Sequence, residues 1–175
     1  MAQSRGYRGL SSLGLARLLA LLVPALLLAG AWGSQIWGGL FPCEMCWWQR
    51  YAHLAALVLA CCAYAFARRP GPDRLLLRLA ALAIATSGCI GAYQAGVEAH
   101  IFEGLTRCTA TATGATGDAL IAQIMSAPII RCDVVQWRFL GVSMAGWNAI
   151  LSIGFAGAIL WLSSRRPRTY PRSQR

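Results

Sequence analysis

Hydrophobic residues along the chain gather into four long stretches, and polar residues are concentrated in the connections between them. Each stretch has about twenty residues, enough for a helix rising ~1.5 Å per residue to cross ~30 Å of hydrocarbon. The pattern predicts an all-α fold and a polytopic membrane protein, in which residues 1–175 form a single membrane domain. The expected four-helix transmembrane bundle has its spans at about residues 13–32, 47–67, 75–97 and 144–162.

The distribution of arginine predicts the orientation of these helices. Twelve of the sixteen basic residues, all arginine, lie in the N-terminal segment, around the turn near residue 70, and in the C-terminal tail. Positive charge stays in the cytoplasm, so we expect both termini there and two periplasmic loops at about 33–46 and 98–143. A net charge of +10 is also typical of nucleic-acid-binding proteins, but no such motif accompanies it. Hydrophobic residues at 57% and charged residues at 13% instead favour a membrane protein.

The first hydrophobic stretch has an alternative interpretation as a signal peptide. Arg5 and Arg8 precede a leucine-rich core, which small residues at 29–31 follow. Cleavage there would leave an odd number of spans and change the charge balance. We therefore expect the N-terminus to be retained as a membrane helix.

A Cys-x-x-Cys motif stands where the first loop meets the second stretch. It consists of Cys43 and Cys46, and Arg50 follows four residues later. A helix beginning near Cys46 would place Cys46 and Arg50 on one face. The guanidinium and the helix dipole would then both favour the reactive thiolate of Cys46. The motif predicts a redox dithiol at the membrane boundary.

The remaining cysteines divide between the second loop and the membrane. Cys108 and Cys132 lie in the loop, so the periplasmic side carries four thiols in an oxidising compartment, which predicts two disulfides. The residues alone do not decide which of these four cysteines form a disulfide with each other. The three cysteines within predicted spans are interpreted as small packing residues, namely Cys61, Cys62 and Cys89.

Two non-enzymatic interpretations compete with redox chemistry. A four-cysteine zinc site would make this a metal-binding membrane protein, but the spacing between Cys108 and Cys132 is too long for a zinc knuckle. Purely structural disulfides would leave Arg50 at the membrane boundary without a reason, and a charge there is costly. We therefore expect no metal site and favour a relay.

Thiol–disulfide exchange can pass oxidising equivalents from one cysteine pair to another. A loop pair can reach a soluble partner, and a pair at the bilayer surface can reach a lipid-soluble acceptor such as a quinone. Arg50 could bind a quinone oxygen. His53, seven residues after Cys46, either contacts the quinone or is a packed, hydrogen-bonded histidine.

The combined pattern resembles the disulfide bond formation protein B (DsbB) family of the bacterial inner membrane. The similarity extends from about residue 13 to the end of the fourth stretch. It is carried by Pro42-Cys43-Glu44-Met45-Cys46, Trp47-Trp48-Gln49-Arg50, Cys108, Cys132, Trp137-Arg138-Phe139-Leu140-Gly141 and Ser143-Met144-Ala145-Gly146-Trp147-Asn148.

This resemblance implies an inner-membrane thiol oxidase that reoxidises a periplasmic DsbA-like dithiol oxidase and uses ubiquinone, or another membrane quinone, as the acceptor. It implies that Cys43 and Cys46 are the quinone-coupled pair, with Arg50 beside Cys46. Cys108 would form the mixed disulfide with the partner, and Cys132 would resolve it.

The chain departs from the family at one position, because Gln94 stands where many members have histidine. The resemblance therefore assigns no proton-handling role to position 94. A vitamin K epoxide reductase-like enzyme is the nearest alternative within quinone-linked thiol chemistry. In that family the Cys-x-x-Cys motif follows the loop pair, whereas here it comes first.

Overall fold

A computed structural model describes residues 11–103 and 132–165 of the chain. This part consists of four long helices and one short β-hairpin, which confirms the all-α expectation. In chain order the elements are α1 (Ser12–Ile36), α2 (Glu44–Ala65), α3 (Pro70–Glu98), β1 (Arg138–Phe139), β2 (Val142–Ser143) and α4 (Met144–Ser164).

Side-chain caps explain where several helices begin. Ser11 Oγ accepts a hydrogen bond from the Gly14 amide at 3.1 Å, and Ser143 Oγ accepts one from the Gly146 amide at 3.2 Å. Pro70 stands at the start of α3, where its missing N–H costs nothing. Helices α1, α3 and α4 extend beyond the predicted spans, since hydropathy alone does not detect the polar ends of a helix, whereas α2 begins three residues before its predicted span and ends two residues short of it.

The helices pack through small side chains. Buried alanines line the contacts of all four helices, including Ala20, Ala56 and Ala80. Where α3 meets α4, a Cβ on Gly91 would lie 2.9 Å from the carbonyl oxygen of Ala145, so glycine permits the close approach. Small residues at helix contacts are typical of membrane bundles, because apolar burial alone does not drive helices together in lipid.

Three of the described helices, α1, α3 and α4, are long and apolar enough to cross a membrane. Helix α2 does not meet the same criterion. Its first three turns contain Gln49, Arg50 and His53, which lower its hydropathy although all three are buried. The structure thus supports a helical membrane protein, and a fourth span at 47–67 remains a prediction.

A buried ion pair joins the ends of three helices. Arg17 on α1 donates to both carboxylate oxygens of Asp73 on α3, at 2.9 and 2.8 Å, and to the carbonyl oxygen of Ala67 at 3.0 Å. Asp73 is completely buried. The sequence analysis did not identify this pair, which fixes the end of the bundle opposite the Cys-x-x-Cys motif.

The hairpin β1–β2 was also not predicted. Leu140 and Gly141 both have positive φ, 51° and 80°, as a two-residue type I′ turn requires. The Trp147 indole N–H donates to the carbonyl oxygen of Phe139 at 3.0 Å, and this bond fixes the hairpin on α4. Nearby, Gln136 Nε2 donates to the carbonyl oxygen of Phe41 at 2.9 Å. This bond joins the segment between α1 and α2 to the segment at 132–137 before β1, next to Cys43. These are called the two outer segments below.

Candidate functional site

The two cysteines of the Cys-x-x-Cys motif lie together at the start of α2. Their sulfur atoms are 2.9 Å apart, so a small side-chain rotation would bring them to disulfide distance, ~2.05 Å. Cys43 is the N-cap residue, and its sulfur accepts a hydrogen bond from the Cys46 amide at 3.4 Å. The helix thus begins at Glu44, ahead of the predicted start near Cys46.

Cys132 lies at the same place. Together with Cys43 and Met45 it forms a small buried cluster, which Ile90 and Tyr93 of α3 cover. The structure therefore brings three of the four predicted redox cysteines together. Cys108 lies outside the described residues.

The contacts among these thiols give Cys43 and Cys46 different pKa values. Hydrogen bonding to Cys132 and Cys46, together with burial, raises the pKa of Cys43 above its ordinary value. The hydrogen bond from the Cys43 thiol lowers the pKa of Cys46. Cys46, which precedes the predicted span 47–67, is therefore the thiol that forms the thiolate of this pair.

A cavity of about 620 Å³ opens beside the pair, a volume within the range of small-molecule sites. Its walls are mostly apolar side chains of α1, α4 and the outer segments. Its polar lining comes mainly from Cys46, Gln49, Arg50, His53, Gln94, Glu98, Gln136 and Asn148. The Cys-x-x-Cys dithiol thus faces this largely apolar cavity, which is called the chamber below.

Arg50 lines this cavity, as the predicted helix face required. Its guanidinium donates to Gln35 Oε1 at 2.7 Å and to the carbonyl oxygen of Ala31 at 2.9 Å, and it lies 5.0 Å from the ring centre of Trp47. Arg50 is only 5% exposed, so it is a packed residue and not a loosely held boundary residue. These contacts place a permanent positive charge at the chamber wall.

A chain of amide side chains connects the dithiol to the interior. Gln94 Nε2 lies 3.6 Å from both Cys43 Sγ and Cys46 Sγ, while Gln94 Oε1 accepts a hydrogen bond from Gln49 Nε2 at 2.7 Å. Asn148 Nδ2 donates to Gln49 Oε1 at 2.7 Å and to Ser87 Oγ at 3.1 Å. These bonds orient the Gln94 amide so that its nitrogen faces the sulfurs.

His53 is held by the far end of this network. Its Nε2 lies 3.0 Å from Asn148 Oδ1. Because the Asn148 amide nitrogen already donates to Gln49 and Ser87, the oxygen must be the acceptor, and Nε2 carries the proton. Among the described residues, none hydrogen-bonds His53 Nδ1 although this atom is buried. The histidine is thus a packed, hydrogen-bonded residue that also lines the cavity.

Sequence reasoning missed Gln49, Gln94, Glu98 and Asn148 as parts of the site. Gln49 and Asn148 belong to segments that carry the family resemblance, but an amide has no chemical signature that marks it as part of a site. Their proximity depends on helix packing. No group of three His, Cys, Asp or Glu residues is arranged to hold a metal ion within residues 11–103 and 132–165.

Comparison with known proteins agrees with this geometry. The family model for Disulfide bond formation protein DsbB matches residues 14–162. Disulfide bond formation protein B of Marinobacter nauticus is 29% identical over 75% of this chain and 80% of its own length. The protein of the same name from Azoarcus sp. is 29% identical over 79% of this chain and 84% of its own length.

Disulfide bond formation protein B 2 of Pseudomonas syringae pv. syringae is 31% identical over 79% of this chain and 81% of its own length. No solved structure matches the chain significantly. The family match spans both cysteine pairs and all four helices, and it favours this family over the vitamin K epoxide reductase-like alternative. The chain therefore belongs to the DsbB family of membrane proteins for disulfide bond formation.

Proposed function

We propose that the chain is a quinone-dependent thiol oxidase of the bacterial inner membrane, which reoxidises a periplasmic DsbA-like dithiol oxidase. The observation that carries this proposal is the position of the Cys43–Cys46 pair. On one side it contacts Cys132 of the second outer segment, and on the other it faces the apolar chamber. Thiol exchange and an apolar electron acceptor can thus meet at one dithiol.

The chamber fits a membrane quinone such as ubiquinone. Its lining is mostly apolar, as a lipid-soluble ring requires. Arg50 would donate to a ring oxygen, and His53, whose Nδ1 is an acceptor, would accept from a hydroxyl of the reduced ring. Buried His53 Nδ1, which has no partner among the described residues, offers a hydrogen-bonding position there. A bound quinone supplies the acceptor for two electrons and two protons.

The contact between Cys132 and Cys43 supports a specific order of exchange. The partner's thiolate attacks Cys108 of a Cys108–Cys132 disulfide, and Cys132 leaves as a thiolate. Cys132 then attacks Cys43 of the Cys43–Cys46 disulfide, and Cys46 leaves. The lowered pKa of Cys46 makes it the better leaving group of its pair. Arg50 contributes positive charge to the same chamber wall.

We also propose the membrane arrangement that this chemistry needs. Helix α2 would be a fourth span, with its polar residues shielded inside the bundle, and both termini would be cytoplasmic. Gln49, Arg50 and His53 are all below one-tenth exposed, so lipid does not meet them. The arginine asymmetry supports the orientation.

The direct test is quinone reduction by the purified full-length protein supplied with a reduced DsbA-like oxidase. We expect quinol formation to require the partner and to disappear in Cys46→Ala. A matched control is Cys89→Ser, because Cys89 is exposed on α3. Purified protein with bound zinc, reduced outer thiols and no quinone reduction would instead support the metal-binding alternative.

A further inference from the structure

Glu98 ends α3 one helical turn after Gln94, and it lines the chamber. Gln94 Nε2 donates to Glu98 Oε1 at 3.2 Å, and the same nitrogen lies 3.6 Å from each sulfur of the Cys43–Cys46 pair. A single amide group therefore bridges a carboxyl group and the redox dithiol.

The second carboxyl oxygen of Glu98 is buried and has no hydrogen bond of ordinary length to any residue in 11–103 or 132–165, and the Ser143 hydroxyl is a polar group that faces the same carboxyl. Glu98 also forms no salt bridge within these ranges. The titratable and charged groups that face it are Cys43 and Cys46 across Gln94, Cys132, and Arg138 on the hairpin. A buried carboxylate oxygen without a partner is costly, and a proton on it removes that cost.

No other acid among the described residues lines the chamber. Gln94 cannot take up a proton at ordinary pH, and Gln49 fixes its orientation at 2.7 Å. Glu98 is therefore the carboxyl group of the chamber that can exchange a proton with the dithiol through an intervening water molecule.

We propose that Glu98 is the proton acceptor of the Cys43–Cys46 dithiol, a role that rests on the proposed thiol-oxidase function. Closing the disulfide breaks two S–H bonds, forms one S–S bond and releases two electrons and two protons. A membrane quinone bound in the chamber would supply the acceptor for both electrons and both protons. Glu98 takes up one of these protons at its carboxylate and gives it up within the chamber, so it ends each turnover unchanged.

The test is the pH dependence of Cys46 alkylation in the full-length protein, reduced with dithiothreitol and read by peptide mass spectrometry. Two coupled groups titrate in two steps, so the wild-type profile should show two inflections. Glu98→Gln should leave one inflection, shifted down by on the order of one pH unit, because no neighbouring negative charge then opposes the thiolate. Glu103→Gln, which neutralises an exposed acid, is the matched control and should behave as wild type.

A Glu98→Gln profile that superimposes on wild type would overturn the role of Glu98. Should Glu98→Gln fail to fold, Glu98→Asp serves instead. Its shorter side chain should draw the two inflections together, and an unchanged separation would overturn the proposal. The alkylation assay needs neither partner nor quinone. Failure of wild-type quinone reduction would therefore overturn the proposed function while leaving the coupling between Glu98 and Cys46 measurable.

Discussion

Cys132 lies against Cys43, although the two residues belong to different outer segments of the chain. Hydrogen bonding between them is the largest cause of the raised pKa of Cys43. The Gln136 bond to the Phe41 carbonyl, close by in both segments, supports the same juxtaposition. The residue proposed to resolve the partner disulfide is thus already beside the dithiol it would attack.

Replacing Cys132 should trap the partner. In Cys132→Ser the Cys108 thiolate can still attack the disulfide of an oxidised partner, and one partner sulfur leaves as a thiolate. Cys132 is no longer present to displace the partner from Cys108, so a mixed disulfide should accumulate. A non-reducing gel of protein from cells should show this adduct. The double variant Cys108→Ser/Cys132→Ser should lack it.

The outcome separates a relay from structural disulfides and from zinc. Structural disulfides predict lost stability without an adduct, and a zinc site predicts that each cysteine variant loses metal and stability together. Equal destabilisation of all four outer-cysteine variants, with no adduct dependent on Cys108, would contradict the relay.

The acidity difference within the Cys-x-x-Cys pair gives a second prediction. Because the pKa of Cys46 is lowered, its thiolate fraction at neutral pH exceeds that of an ordinary thiol and falls as the pH drops through that pKa. Cys43→Ala removes the hydrogen-bond donor, so the pKa of Cys46 should rise. Its alkylation near pH 7 should slow by on the order of fivefold.

Cys43→Ser is the matched variant for this measurement, since its hydroxyl retains both a cap for α2 and a donor to Cys46. It should keep most of the reactivity that Cys43→Ala loses. Equal rates in the two variants would show that the helix terminus, and not the neighbouring donor, sets the acidity of Cys46.

The fold class and the region of the site could be predicted from the sequence, but the contacts between side chains of different helices could not. The length and hydrophobicity of four stretches predicted the helices, and the Cys-x-x-Cys spacing with Arg50 identified one wall of the chamber. The sequence assigned no role to Gln94, because an amide becomes functional only through the groups that it contacts, here two sulfurs and Glu98. The Arg17–Asp73 pair was not predicted for a related reason, because no fixed sequence spacing relates two partners that lie on different helices.

Arg50 shows how burial changes a prediction based on sequence. The sequence places Arg50 at the membrane boundary rather than in the packed centre, which predicts that Arg50→Ala leaves the protein folded. The structure contradicts that reasoning, because Arg50 is 5% exposed and donates to Gln35 and Ala31 of α1. Losing these two hydrogen bonds should cost about 1–3 kcal/mol in free energy of unfolding.

The same substitution should also weaken quinone use. Loss of a charge-assisted hydrogen bond corresponds to a rise of about tenfold or more in the apparent KM for quinone. Arg50→Lys should recover this only in part, since it lacks the planar fork. Arg17→Ala is the control for stability alone, because it leaves Asp73 buried and unpaired at the opposite end of the bundle. An equal rise in quinone KM in Arg17→Ala would remove Arg50 from the quinone site.

The proposed topology can be tested at the ends of the helices. The segment around Arg68 and Arg69 joins α2 to α3 at the end that the Arg17–Asp73 pair closes, and the cysteines lie at the other end. With four spans, a reporter that works only in the cytoplasm should be active when fused after Arg175. A reporter that works only in the periplasm should be active when inserted after Gly39. If α2 does not span, the two reporters cannot both match, because an odd number of crossings places the C-terminus outside. Reversing the charge asymmetry by replacing Arg68 and Arg69 with glutamate should weaken this orientation, since arginine near helix ends is what retains a loop in the cytoplasm.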